Sequence, residues 1–433
     1  MAGPGPLKEP VSCGAPASHW VTIWAASAQG VYPVGAAIAQ PDLRSALPNA
    51  AAGMVDQAMR MIVRPARLAP RIRLRFSNAF GERALHLRDL HVGLHLGGGA
   101  LVPGTLARAT APDGDTLVVP PGQACWTAPI ELPWMSDMPV TCLKGLDLAV
   151  SCAVEGTSGP MTWHAKAMTT SYLSAPGEPD ACRDIDAMRL PHTSTSWYFL
   201  DAMDAWLPTS ARCLVGYGDS LTDGTATTLN GHDRWTDVLQ RLLWIQGCDD
   251  LMVVNAGIGG NQIVGPEPEA SPTRGGPAAI ERLGRDLLSL SGVQTVVWIE
   301  GINDFSDNGQ RSATTVLNAS RRAVDQLHAR GLQVIGSTVP SALGSTRPGH
   351  GGIGQDEQRR AFNAALRQYS PFDALVDLDA LMTDPATGQL SDPFNGDSTF
   401  GEPGDGVHPN RAGHACMAQA VLDVLSAQTH FTS

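Results

Sequence analysis

The spacing of apolar residues changes near residue 210 and divides the chain into two parts. From Trp20 to about Trp206, short runs alternate between apolar and polar residues and are separated by Gly and Pro. After Arg212, nearly all-apolar runs alternate with longer segments of helical periodicity. Strict alternation is typical of antiparallel strands, whereas apolar strands between helices are typical of a parallel sheet covered on both faces. The sequence therefore predicts an all-β part followed by an α/β part.

The alternating runs of the first part predict short antiparallel strands. In RIRLRFSNAFG (Arg71 to Gly81), Ile72, Leu74 and Phe76 are expected to face a core. The arginines between them, Arg71, Arg73 and Arg75, are expected to face solvent or a neighbouring domain. Comparable runs lie at 85–96, 115–122, 146–154 and 161–173. Many short strands without helices indicate a β-sandwich or jelly roll.

The second part alternates strands with helices. The expected strands lie at 213–217, 251–255, 295–300, 332–339 and 374–378. The expected helices lie at 235–244, 278–288 and 314–329, at 357–367, and from about residue 411. This order predicts a doubly wound, flavodoxin-like parallel sheet. The boundary is expected near Leu207 to Ser210, which gives an N-terminal extension over 1–19, a sandwich over 20–206 and an α/β domain over 211–433.

Polar residues and glycines follow the apolar strands of the second part. Because open α/β sheets place their sites at the carboxyl edge of the strands, we expect these residues to lie close together. They are Asp219 and Ser220 in LVGYGDSLTDG, the residues Gly257, Gly259, Gly260 and Asn261 in NAGIGGN, Asn303 and Asp304 in EGINDF, and Asp405 and His408 in GDGVHPNRAGH.

These groups include the components of acyl transfer: a hydroxyl nucleophile, an imidazole base, a carboxylate to orient the base, and N–H donors for an oxyanion. A tight turn can bring Asp405 to one ring nitrogen of His408 while the other faces Ser220. Each motif alone has another interpretation. Gly-Asp-Ser is common in turns, Asn303 could brace its own turn, and GIGGN could cradle a phosphate, although it lacks the Lys-Ser/Thr of a P-loop and a full G-x-G-x-x-G.

Four sequence blocks resemble those of the SGNH, or GDSL, hydrolase family. They are GDSL at Gly218 to Leu221, NAGIGGN at Asn255 to Asn261, GIND at Gly301 to Asp304 and DGVHP at Asp405 to Pro409, in the order of the family. The resemblance implies that Ser220 is the nucleophile, His408 the base and Asp405 its partner. It also implies an oxyanion hole formed by the Ser220 amide, the Gly260 amide and the Asn303 side chain.

Other residues near these blocks are expected to have structural roles or receive none. Asp219 is expected to be held by backbone donors rather than to act as the triad acid. An α/β-hydrolase elbow would read G-x-S-x-G, but Thr222 occupies the last Gly position. His414, on the final helix, is expected at the surface or packed, and His164 and His232 receive no role.

The first part is similar, through HWVTIWAASAQG (His19 to Gly30) and RIRLRFSNAFG, to a bacterial subgroup of the family that carries a β-sandwich before the hydrolase domain. A sandwich joined directly to the hydrolase domain is expected to pack over the catalytic edge and to supply one wall of the substrate site. The Gly- and Pro-rich loops at 264–277 and 341–354 are candidates for other walls.

Composition restricts the partners. With 30 Lys and Arg against 42 Asp and Glu, the formal charge is −12, which argues against nucleic acid and anionic membranes. No apolar stretch is long enough to span a bilayer, and the start has no export signal. We therefore expect a cytoplasmic protein as written, or a secreted or periplasmic one if such a signal was removed.

The metal-binding residue types do not form a recognisable site in the sequence. The 8 cysteines have no C-x-x-C spacing, so buried thiols are expected, with disulfides possible. His86, His91 and His95 lie on one predicted strand without a carboxylate pattern, and we predict neither a metal nor a cofactor.

The sequence predicts a serine esterase that acts on a small-molecule or carbohydrate ester, with short acyl groups favoured. Two alternatives stay open. One is a lysophospholipase or thioesterase for longer chains, and the other is a carbohydrate-binding protein with a vestigial hydrolase domain.

Overall fold

The computed structural model describes residues 17–35, 40–135, 138–265, 274–396 and 404–428. The strands of the N-terminal part are β1 Ser18–Ala25, β2 Gly30–Val31, β3 Val55–Val63, β4 Arg71–Ser77, β5 Leu85–Gly97, β6 Ala100–Leu101, β7 Ala107–Arg108, β8 Leu117–Val119, β9 Ala124–Trp126, β10 Ile130–Glu131, β11 Leu148–Thr157, β12 Thr162–His164, β13 Ser171–Leu173, β14 His192–Ser194, β15 Trp197–Tyr198 and β16 Leu200–Pro208. A 3₁₀ helix, Pro133–Met135, and the short helix α1, Val140–Leu143, interrupt them, so the expectation of strands without helices was wrong in detail.

The N-terminal strands pair in antiparallel sheets. One sheet has the order β1-β16-β4-β10, with β9 paired to β4, and another has the order β14-β13-β3-β11-β5-β6, with β7 and β8 paired to β5. A smaller sheet has the order β15-β12-β2. Ile72, Leu74 and Phe76 are fully buried, as their alternation predicts, and they share a hydrophobic cluster with Leu87 and Val150 of the second sheet.

The run at 161–173 is not one strand, which corrects the sequence prediction. It forms β12 and β13, which pair in different sheets. Met168, between them, has a φ of 51°, which ends the extended conformation. The intervening segment carries Lys166, which is buried.

The C-terminal part contains strands β17 Arg212–Gly218, β18 Leu251–Gly257, β19 Val293–Ile299, β20 Gln333–Ser337 and β21 Ala374–Val376. All adjacent pairs are parallel, and their order is β18-β17-β19-β20-β21. Numbered within this part, the order is 2-1-3-4-5, the flavodoxin-like arrangement that the sequence predicts. The order reverses between β17 and β19, so the strand ends there border a crevice.

Helices connect these strands: α2 Ser220–Asp223, α3 Trp235–Ile245, α4 Ala279–Leu283, α5 Ala313–His328, α6 Ile353–Tyr369, α7 Leu378–Met382 and α8 Arg411–Ala427. The helix predicted at 278–288 is divided, because α4 continues as a π-helical turn over Gly284–Leu288. A 3₁₀ turn, Ile302–Asp304, follows β19. The short helices α2 and α7 were not predicted.

The two parts are joined by hydrogen bonds and by shared apolar packing. The backbone N–H of Thr22 donates to the carbonyl oxygen of Ser291 at 3.0 Å, and the Ser291 hydroxyl donates to Asp204 at 2.8 Å. Arg75, predicted to face solvent or a neighbouring domain, donates to the Ser289 hydroxyl at 2.8 Å. One cluster of buried apolar residues includes Val21 and Trp298. The boundaries of the domains stay a prediction.

Among the described residues, no helix is both long and apolar enough to cross a bilayer. The described cysteines, 125, 142, 152, 182, 213, 248 and 416, are free thiols, and Cys13 lies outside the described residues.

Candidate active site

Ser220 is placed by a sharp transition from strand to helix. A Cβ atom on Gly218 would lie 2.4 Å from the carbonyl oxygen of Ile299, so only Gly fits at the end of β17. Asp219 is the N-cap of α2, because its Oδ1 accepts the N–H of Leu221 at 2.9 Å. Burial raises the pKa of Asp219 to about 7. Ser220 then begins α2, so its own N–H has no acceptor within that helix.

Ser220, His408 and Asp405 form one chain of hydrogen bonds. His408 Nε2 lies 2.9 Å from Ser220 Oγ, and His408 Nδ1 lies 2.6 Å from Asp405 Oδ2. Asp405 Oδ1 accepts the backbone N–H groups of Val407, at 3.0 Å, and of His408, at 2.9 Å. The carboxylate is thus held by the turn that also carries the imidazole.

The environment of the imidazole favours its neutral form. Burial lowers the pKa of His408, and the hydrogen bond and charge of Asp405 oppose that shift. Burial alone would raise the pKa of Asp405, but its contacts with His408 hold the pKa well below its ordinary value. A neutral imidazole beside an ionised carboxylate can accept a proton from the serine hydroxyl.

Asn303 is held on both sides of its amide group. Its Nδ2 donates to the carbonyl oxygen of Asn261 at 2.9 Å, and His350 Nε2 donates to its Oδ1 at 3.2 Å. These partners fix which end of the amide is the donor, because the Asn261 carbonyl can only accept. One of the two Nδ2 hydrogens remains for another acceptor.

Gly260 lies in the loop after β18 with a φ of 83°, a conformation that favours Gly. Its N–H has no acceptor among the described residues. The neighbouring Asn261 is fixed by Arg282, whose Nε donates to Asn261 Oδ1 at 2.8 Å. Arg282 is fully buried and also pairs with Asp286 and, at 3.4 Å, with Glu300.

Asp304 supports the same edge of the sheet. Its carboxylate accepts the backbone N–H groups of Ile263, at 2.8 Å, and of Val264, at 3.0 Å. Burial raises its pKa to about 6.

Four residues beside the site were not predicted from the sequence: Gln29 and Lys166 of the N-terminal part, and Asp223 and His350 of the C-terminal part. Asp223 lies one turn after Ser220, and His164, which received no role, has its Nε2 3.1 Å from Asp223 Oδ1. His350 belongs to the loop at 341–354 that was predicted to form a wall, and Gln29 lies in the segment HWVTIWAASAQG that carries the resemblance to the sandwich-bearing subgroup, but neither residue was assigned a role.

The other histidines lie apart from the Ser220 chain of bonds. His414 is fully buried and accepts the N–H of Trp235 at 3.2 Å, which makes it a packed residue. His232 Nε2 lies 3.6 Å from Asp147 Oδ2. On β5, His86 is exposed, whereas His91 and His95 contact the carbonyl oxygens of Asp89 and Gly98. In the part of the chain that the structure describes, no group of three or more His, Cys, Asp or Glu residues could hold a metal ion.

Comparison with known proteins identifies the family of the C-terminal part. Residues 217–416 match the family model of the GDSL-like Lipase/Acylhydrolase family. This segment is therefore a GDSL-like lipase/acylhydrolase domain, and the resemblance based on the four sequence blocks is confirmed. Membership of the subgroup that carries an N-terminal sandwich stays a prediction. A comparison with curated proteins gives no match.

Solved structures similar to this chain include three esterases or acylhydrolases. A carbohydrate acetylesterase from Sinorhizobium meliloti is 18% identical, with a TM-score of 0.38, over 50% of this chain and 99% of its own. An aryl esterase from M. smegmatis is 17% identical, with a TM-score of 0.39, over 50% of this chain and 99% of its own. A lipase/acylhydrolase from Enterococcus faecalis is 20% identical, with a TM-score of 0.38, over 50% of this chain and 96% of its own.

Proposed function

We propose that the protein is a serine esterase that hydrolyses carboxylic esters through an acyl-enzyme intermediate. The observation that carries this proposal is the continuous chain of hydrogen bonds from Ser220 through His408 to Asp405. Ser220 Oγ attacks the ester carbonyl carbon while His408 Nε2 takes the hydroxyl proton, and Asp405 stabilises the imidazolium. The alcohol then leaves with the proton from His408.

The second half of the reaction reuses the same groups. Water attacks the acyl carbon of the Ser220 ester, His408 accepts its proton, and the carboxylic acid leaves as the proton returns to Ser220 Oγ. In both tetrahedral intermediates, the negative oxygen accepts hydrogen bonds from the Ser220 amide, the Gly260 amide and the Asn303 side chain. Such donors stabilise the transition state more than the substrate.

A cleft next to Asn303 supports short acyl groups. Its empty space, which includes open solvent, is about 240 Å³, and its lining includes the apolar side chains of Ile302, Phe305, Ala342 and Leu343. We assign it to the acyl group of the ester, with the alcohol or sugar outside it. A series of nitrophenyl esters of increasing acyl length should therefore give its highest kcat/KM with short chains, and a maximum with long chains would favour the lysophospholipase or thioesterase alternative.

The decisive variant is Ser220→Ala. It should abolish ester hydrolysis and labelling by a fluorophosphonate probe while leaving the melting temperature close to that of the wild type, because it removes a single hydroxyl. A panel of acetylated sugars and simple esters then identifies the alcohol. Activity within about tenfold of the wild type would exclude Ser220 as the nucleophile. Glycan binding without any probe labelling of the wild type would favour the vestigial alternative.

A further inference from the structure

Both backbone polar groups of Gly259, the residue before the oxyanion amide of Gly260, are hydrogen-bonded. Its N–H donates to Asp223 Oδ2 at 2.7 Å. Its carbonyl oxygen accepts a hydrogen bond from Gln29 Nε2 at 3.3 Å. Gln29 lies between β1 and β2, 230 residues away in the N-terminal part. The loop after β18, which carries Gly259 and Gly260, is therefore held by a side chain from outside the GDSL-like domain.

The planarity of the peptide group links Gln29 to Gly260. The carbonyl of Gly259 and the N–H of Gly260 belong to the same trans peptide unit, so they point in opposite directions. A donor that fixes the carbonyl direction therefore also fixes the N–H direction. We propose that Gln29 is a positioning residue that aims the Gly260 N–H at the oxyanion, so that the N-terminal part completes the oxyanion hole. This inference rests on the proposed esterase function.

The orientation of the Gln29 amide is determined by its surroundings. Its Nε2 donates to two carbonyl oxygens, those of Gly259 and Arg274, so a flipped amide would bring oxygen against oxygen. The side chain is 1% exposed, and its Oε1 is buried without a hydrogen-bond partner. Such an unpaired acceptor destabilises the fold, which an apolar side chain of the same shape would avoid. The two hydrogen bonds that Nε2 donates therefore explain why an amide, rather than an apolar side chain, occupies this position.

A second link from the N-terminal part reaches Gly259 through Asp223. His164 Nε2 lies 3.1 Å and Lys166 Nζ 3.8 Å from the Asp223 carboxylate. Lys166 also packs directly on the loop, because a Cβ atom on Gly259 would lie 2.1 Å from its Nζ. The N–H of Gly259 thus bonds to a carboxylate that lies beside two basic side chains of the N-terminal part.

The test compares Gln29→Met with Gln57→Met in the full-length protein. Gln57 is a matched control: it is 0% exposed, its Nε2 bridges the carbonyl oxygens of Ala46 and Ser174, and its Oε1 is also unpaired. Both substitutions keep the side-chain shape and remove two donor bonds. The measurements are kcat and KM for 4-nitrophenyl acetate, the inhibition constant of a trifluoromethyl ketone that forms a tetrahedral adduct, and the melting temperature.

We expect Gln29→Met to lower kcat by about ten- to a hundredfold, less than the roughly 10²–10³ of a deleted oxyanion donor, with KM within about twofold. Affinity for the trifluoromethyl ketone should fall in parallel. Gln57→Met should lower the melting temperature to a similar extent and keep kcat within about twofold of the wild type. Gln29→Asn, whose shorter amide does not reach Gly259, should reproduce the kcat loss and replaces Gln29→Met if that variant does not fold.

Two results would overturn the inference: a wild-type kcat in the Gln29 variants, or an equal loss of kcat in Gln57→Met. Ser220→Ala, assayed alongside, separates this failure from failure of the proposed function. If Ser220→Ala is inactive and the Gln29 variants are normal, only the positioning role is wrong. If Ser220→Ala retains activity, the proposed function and this inference fall together.

Discussion

Asn303 makes a structural hydrogen bond and is also proposed to contact the oxyanion, so its substitution tests the proposed oxyanion hole directly. One amide hydrogen donates to the carbonyl oxygen of Asn261, which braces the turn after β19, and the other is the hydrogen proposed to reach the oxyanion. Asn303→Ala should therefore lower kcat by roughly 10²–10³ with little change in KM. It should also lower the free energy of unfolding by about 1–3 kcal/mol, because a buried carbonyl loses its donor.

Measurements of kcat, KM and melting temperature on one preparation of Asn303→Ala decide between the two roles. A normal kcat with a lowered melting temperature would show that Asn303 only stabilises the turn after β19. His350→Gln is a useful companion variant, since His350 contacts Asn303 Oδ1 rather than the hydrogen assigned to the oxyanion.

The protonation state of His408 predicts how kcat/KM depends on pH. The imidazole must be neutral to accept the serine proton, and burial disfavours its charged form, so its pKa lies below the ordinary value of 6.5. Activity should persist as the pH falls through 6.5 and be lost only at lower pH, where the imidazole gains its proton. The midpoint of this acid limb is measured with the free enzyme and a neutral ester.

Asp219→Asn is the control for that profile. Burial raises the pKa of Asp219 to about 7, so its titration would give a limb near neutral pH. Asn keeps an Oδ1 that can accept the N–H of Leu221, so the cap of α2 is retained. The acid limb should stay in place in this variant, and a limb that disappears with Asp219 would show that His408 does not govern it.

At the scale of elements, the parallel sheet was predictable because its strands are almost uniformly apolar. The strand beginning at Leu251 and the helix beginning at Trp235 start at the predicted residue. The π-helical turn at Gly284–Leu288 was not predicted, and its residue Arg285 donates to the carbonyl oxygen of Ala28, a contact that local sequence does not reveal. There, Arg282 and Arg285 both pair with Asp286, and Arg282 also reaches Asn261 and Glu300.

The candidate site likewise combines residues that local sequence predicts with residues that it does not. Ser220, Asn303 and the Asp405 to His408 turn lie in short motifs, so local sequence was enough to place them at one edge of the sheet. Neither Gln29 nor Lys166 lies in one of the four GDSL blocks, and their contacts with Gly259 and Thr225 join segments far apart in the chain. Lys166 even lies in a run that alternation predicted as a single strand.

At the scale of the whole molecule, the two parts form one packed unit rather than independent modules. The Asp204 carboxylate accepts both the Ser291 hydroxyl and the guanidinium of Arg73, at 2.8 Å and 2.7 Å. The Arg285 guanidinium donates to the carbonyl oxygen of Ala28 at 2.7 Å. Separation of the parts would expose apolar surface and leave buried polar groups without partners.

Residues 211–433 produced alone should therefore be poorly soluble or melt at a lower temperature than the full chain. Truncation removes Gln29 from the Gly259 carbonyl, and it removes His164 and Lys166 from Asp223, so any folded fraction should also have a reduced kcat. The fragment and the full chain are compared in melting temperature, in kcat and in their activity profile over small and bulky esters. Active sites are counted by fluorophosphonate labelling, so that unfolded protein does not lower the measured kcat. If the fragment keeps the melting temperature and the full ester profile, the N-terminal part neither completes the oxyanion hole nor forms a wall of the substrate site.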